Sequence, residues 1–130
     1  SMRKELIITI IIVIFVIIGN CITQKYTKKC VSETTSQLEE LKKNALDGEK
    51  DHNELAKMAQ DIYEQWVKKN EGLSYYLEHD ELEKVHTQIR KAEACFEADE
   101  VQNAIPEIED GIFILEHIQE KQSFKLKTIF

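Results

Sequence analysis

Glu-x-x-His occurs twice in the chain, at Glu49–His52 and at Glu83–His86. Two such pairs, joined by one Glu from each of two further helices, form the ligand set of a carboxylate di-metal centre in a helical bundle. That chemistry requires every ligand to turn into the bundle interior. Glu83 and His86 each directly follow a residue of an apolar stripe, Leu82 and Val85, and so fall on its flank. Glu49 and His52 fall in a turn, and the apolar stripes carry no inward Glu. The chain is therefore expected to hold no metal and no cofactor; Glu83 and His86 are the residues a metal would use if one bound.

Two further groups have the residue types of a site. His79-Asp80-Glu81 combines an imidazole that titrates near neutral pH with carboxylates that stabilise its charged form. The alternative is a capping turn at a helix start, with Asp80 and Glu83 spaced as a capping box. Trp66, with Tyr63, Tyr75 and Tyr76, has the composition of an aromatic pocket. At helical spacing such residues read more simply as core with polar tips outward, or as anchors at a membrane surface. Trp66, His79 and Asp80 are kept as a candidate corner. The chain has no G-x-S-x-G, no phosphate-cradling glycine loop, no C-x-x-C and no H-E-x-x-H. The expectation is a protein that is not an enzyme. Cys21, Cys30 and Cys95 do not form a disulfide framework.

The elements that must position these residues begin with the run Leu6–Ile22, which carries no charge and is wholly apolar from Ile10 to Ile18. As a helix it is roughly 25 Å long, at the short end of what crosses a bilayer core. Arg3 and Lys4 precede it, and Lys25, Lys28 and Lys29 come after it. Its exit, Gly19-Asn20-Cys21-Ile22, fits neither a signal-peptidase site nor a lipidated cysteine, since Asn20 stands directly before Cys21. The run is thus expected to be an uncleaved single-pass anchor in the cell membrane. The lysine and arginine count around it does not set orientation. The short tail before it, residues 1–5, favours export of the C-terminal part, so the domain is expected to be extracytoplasmic. Ser1, ahead of Met2, reads as a cloning remnant.

Everything after the anchor has helical periodicity. Val31, Thr34, Leu38, Leu41 and Ala45 recur at alternating spacings of three and four, with Leu46 widening the stripe. No breaker separates them from the anchor, so one continuous helix is predicted, ended by Asp47-Gly48. A second helix starts near Asp51 or Asn53 and carries Leu55, Met58, Ala59, Ile62, Trp66, Leu73, Tyr76 and Leu77; Gly72 interrupts the pattern and marks either a break or, since the periodicity resumes in phase, a kink near Asn70. The third carries Leu82, Val85, Ile89, Ala92 and Phe96. The fourth, behind an Asp99 cap, carries Val101, Ala104, Ile105, Ile108, Ile112, Leu115 and Ile118, with Pro106 either kinking it or sitting in its first turn. The predicted fold is all-α: an N-terminal transmembrane helix (6–22) continuing into an antiparallel up-down four-helix bundle (23–122). Its helices are expected at about 23–46, 52–78, 81–97 and 100–122, with an amphipathic tail, 123–130, at the end.

Charge narrows the partners. From Val31 onward there are 12 Lys and Arg against 23 Asp and Glu. A domain this acidic repels nucleic acid. The tail departs from that trend: Phe124, Lys125, Leu126, Lys127, Ile129 and Phe130 combine apolar groups with lysines, a composition suited to a membrane surface or a membrane partner. Packing back on Val31 and Leu38 is the competing role for it.

The anchor, Trp66, the His79-Asp80-Glu81-Leu82 opening and the closing Thr128-Ile129-Phe130 resemble the DUF4363 family of clostridial and bacillar membrane-anchored proteins. That family more often ends in Asn-Ile-Phe. The resemblance implies no activity. It does imply a partner, because members are often encoded beside multi-pass membrane proteins of the DUF421 (YetF-like) type. The functional expectation is a membrane-tethered accessory subunit that docks on such a protein; self-association is compatible with it. The alternative is an extracytoplasmic sensor or ligand-binding bundle. With about five residues on the other side of the anchor, a sensor would need a partner as well.

Overall fold

The computed structural model describes the backbone of residues 2–129 and the side chains up to Phe124. It has four helices: α1 (Met2–Asp47), α2 (His52–Leu73), α3 (His79–Glu97) and α4 (Val101–Ile129), with no strand among the described residues. Neighbours in sequence pack as neighbours in space, and α4 closes the square against α1. This is the up-down-up-down arrangement that short turns enforce. The end of the bundle that adjoins the apolar half of α1 is the proximal end; the end at Asp47 is distal.

α1 is one unbroken helix of 46 residues, about 69 Å long. Threonines do not break it, because their hydroxyls donate to the carbonyl four residues back: Thr9 to Glu5, Thr23 to Gly19, Thr34 to Cys30. Its first half is long and apolar enough to cross a membrane, and none of it is buried. Its second half is a strut of the bundle, buried along Thr27, Cys30, Val31, Thr34, Leu38, Leu41 and Ala45. Leu46 does not widen that stripe; it is exposed, because it lies one residue past the inward position.

The predicted stripes of α2, α3 and α4 form the core. Trp66, Leu82, Val85, Phe96 and Leu115 are completely shielded. The caps are local. Gly48 takes φ 72° after α1, the left-handed geometry that glycine adopts without a Cβ penalty. Asp51 accepts the Glu54 N–H at 2.9 Å to start α2.

Four boundaries differ from those expected. α2 ends at Leu73, without running through a kink to residue 78. The period survives because the turn keeps near-helical bonds, with the Tyr76 and Leu77 N–H groups both donating to the Leu73 carbonyl at 2.9 Å. Leu77 is therefore buried, while Tyr76 points outward. α3 starts at His79 behind Glu78, so Asp80 lies inside the first turn and forms no capping box with Glu83. Asp99 sits in the left-handed region, φ 57°, closing α3, while the Glu100 carbonyl and carboxylate receive the Asn103 backbone and side-chain N–H groups at 3.0 and 3.2 Å. Finally, α4 contains Pro106 inside the helix and continues through Ile129, with no break at residue 123.

Candidate functional site

The proximal end gathers groups from all four helices. Tyr26 of α1 lies against Gly72 in the last turn of α2; a Cβ there would come within 2.9 Å of the Tyr26 Cζ and closer still to its hydroxyl. The glycine is thus explained by close approach. Tyr76 meets Tyr26 edge-on, with ring centroids 6.4 Å apart, and Tyr75 lies beside Tyr76 at 6.5 Å. Burial, and then the neighbouring Cys30 thiol, hold the Tyr26 hydroxyl above its ordinary pKa. Between α1 and α4 the Gln24 amide donates to Gln122 Oε1 at 3.2 Å, joining residues 98 positions apart. Lys121 Nζ reaches both Glu78 (3.0 Å) and Glu81 (3.3 Å), tying α4 to the start of α3.

Beyond Gln122, α4 runs on for seven residues, about 10 Å. Asn20, Thr23 and Gln24 are the first half-buried residues of α1, and all before them are exposed. Of the expected contact residues, Phe124 is exposed. The side chains of Lys125, Leu126, Lys127 and Ile129, and all of Phe130, lie outside the described residues.

The other singled-out residues do not converge. Trp66 is in the core, two turns above the α2–α3 turn. His79 and Asp80 are on the surface, His79 Nε2 lying 3.5 Å from Glu83. Glu83 therefore turns away from His86, whose ring packs edge-on against Tyr63 at 4.8 Å. His52 Nδ1 lies 2.9 Å from the Phe96 carbonyl, while Glu49 is exposed. Among the described residues no three His, Cys, Asp or Glu side chains are grouped to hold a metal ion. All three cysteines are free.

The α2–α3 seam corrects the expectation that no Glu turns inward. Glu93 is buried, paired with Arg90 at 3.2 Å. Burial chiefly pushes its pKa up, Arg90 opposes that, and Glu97 adds to it. The Arg90 guanidinium also lies 4.7 Å over the Tyr63 ring. The i, i+3 spacing of Arg90 and Glu93 was the available signal for this pair. For Tyr26 no local signal was available; a glycine at 72 permits a close neighbour without requiring one, as the open space around Gly19 and Gly48 shows.

Fold and geometry together define a class: an antiparallel four-helix bundle grown on the continuation of an apolar helix, with an aromatic and basic proximal end. The chain belongs to the DUF4363 family, a domain of unknown function, whose model matches residues 21–129. The match begins where the uncharged run ends and covers the whole bundle. No curated protein and no solved structure matches the chain.

Proposed function

We propose that this protein is a non-enzymatic, membrane-tethered accessory subunit: α1 crosses the cell membrane once, and the bundle, on the extracytoplasmic side, docks on a multi-pass membrane protein. The observation that carries this reading is the division of α1. One unbroken helix has an apolar half that is not buried among the described residues and a half that is a bundle strut. Such a helix holds its domain at a fixed height over a bilayer. A partner of the DUF421 type is what the family resemblance implies. The segment from Phe124 to Phe130 is the contact, because α4 continues through Ile129 at the anchor's end of the bundle and the segment's composition is apolar and basic.

Co-purification of the full chain from native membranes in mild detergent tests the reading, with and without Thr128–Phe130. The expected result is a multi-pass protein retained by the full chain and lost on truncation, with an unchanged melting temperature. A truncation that lowers the melting temperature with the partner still bound assigns the tail to bundle closure. A full chain that purifies alone removes the docking role.

A further inference from the structure

We propose that the turn between α2 and α3, with Tyr26, Tyr75 and Tyr76, is a second membrane contact: a foot seated in the headgroup layer of anionic phospholipid, beside the anchor. This rests on the proposed placement of α1 across a bilayer. Ile22 closes the uncharged run, and Tyr26 stands four residues further along the same straight helix, about 6 Å along its axis. The headgroup layer is roughly 5–8 Å deep on each side of the hydrocarbon. Tyr26 therefore stands within it. The edge contact of Tyr76 with Tyr26, and of Tyr75 with Tyr76, holds the turn at the same height. Gly72 is what lets α2 descend that far against the Tyr26 ring.

The chemistry of this end suits that layer. Tyr75 is 84% exposed and Tyr76 46%. A ring with a hydroxyl tip partitions to the boundary between hydrocarbon and water, where each part finds its preferred surroundings. Lys25, Lys28 and Lys29 are exposed on α1 just above the run. Two of the carboxylates that would repel anionic lipid, Glu78 and Glu81, are engaged by Lys121. Glu83 lies 3.5 Å from His79, while Glu71, Asp80 and Glu120 remain as exposed acids at this end, so the attraction to anionic lipid rests on Lys25, Lys28 and Lys29 of α1. The rest of the bundle is strongly acidic and stays off the surface, which confines the contact to this end.

The test uses the full chain in vesicles of phosphatidylcholine and phosphatidylglycerol whose acyl chains are brominated near the headgroup. The native chain has a single Trp, and that residue, Trp66, is completely shielded, which gives a constant background. Tyr75→Trp places a reporter on the foot. Phe113→Trp, also at an exposed position, places one nine residues up α4 from Gln122, about 13 Å further from the membrane. The emission added by Tyr75→Trp is expected to be lost to bromine and that added by Phe113→Trp retained. Replacing Lys25, Lys28 and Lys29 with Gln is expected to reduce the Tyr75→Trp quenching to its value in phosphatidylcholine alone. Vesicle flotation after an alkaline wash is run in parallel. Protein that floats but shows equal quenching at both positions overturns the foot and leaves the anchor standing. Quenching that is independent of phosphatidylglycerol overturns the choice of anionic lipid. Protein that fails to float overturns both the anchor and the foot.

Discussion

The two ends of the bundle are closed by different means. At the distal end the turns are mostly local: Gly48 and Asp99 take left-handed backbone, and Asp51 and Glu100 accept from residues three positions on, with His52 Nδ1 at 2.9 Å from the Phe96 carbonyl as a long-range tie. At the proximal end the closure is long-range. Tyr26 meets Gly72 and Tyr76, Gln24 meets Gln122, and Lys121 bridges Glu78 and Glu81. A change at Gly48 or Asp51 is felt at one cap, whereas a change at Tyr26 or Gly72 is felt by both α1 and α2. The end beside the apolar run is the one held by tertiary fit.

The largest effect that tests this comparison comes from the core both ends share. Phe96 is completely shielded at the distal end of α3. Phe96→Ala is expected to cost about 3–5 kcal/mol in chemical denaturation, and a change within error would remove Phe96 from the core.

Glycine replacements separate the two kinds of closure. Gly72→Ala forces a methyl into the Tyr26 ring and is expected to destabilise by about 1–3 kcal/mol, with much of the loss recovered in the Gly72→Ala/Tyr26→Ala double variant. Gly48→Ala strains a positive φ with open space around it, costing about 1–2 kcal/mol, and no second substitution should rescue it. If Gly72→Ala instead stabilises the protein by the helix propensity gained, about 1 kcal/mol, the proximal aromatic packing is loose and the comparison fails.

Glu93 gives a smaller effect with a definite sign. Its folded-state pKa is raised, so the folded protein binds this proton more tightly than the unfolded chain does. The associated stability is present at low pH and is lost as pH rises from the unfolded value of 4.5 through the folded one. Glu93→Gln is therefore expected to raise the melting temperature at neutral pH and to leave it unchanged well below pH 4.5. A fall at neutral pH would show that the Arg90 pair outweighs burial. The smallest effect belongs to Lys121→Gln, which removes an ion pair to exposed Glu78 and one to the partly buried Glu81. Its slight destabilisation should vanish in high salt.

The helices and their buried faces were legible because burial on one side of a helix writes a period of 3.6 into the residue types. Leu82, Val85, Ile89, Ala92 and Phe96 could be placed on that basis alone. The end of α2 was not legible, because the turn after Leu73 keeps helical bonds and so keeps Leu77 in phase. The Arg90–Glu93 spacing signalled an ion pair but not its burial, since Glu93 lies one residue past the apolar stripe position Ala92. The aromatic contact of Tyr26 with Tyr76 joins residues fifty positions apart, and no local pattern in α1 marks Tyr26 as different from its neighbours. The run of α4 to Ile129 was hidden by composition, since a segment alternating apolar residues and lysines reads equally as a tail.

The continuity of α1 has a mechanical consequence. A helix without a break at the exit of its apolar run has no swivel there. With that run set in a bilayer, a hydrocarbon layer thinner than the run is met by tilting the whole rod, and a thicker one by local thinning of the membrane around it. From Ile22 to Asp47 the rod projects about 38 Å, so a tilt of about 20° carries the far tip roughly 13 Å sideways. Membrane thickness would then be read out as the lean of an acidic column, amplified with distance from the surface. Closing that column on the anchor side with long-range contacts makes the lever stiff at its fulcrum.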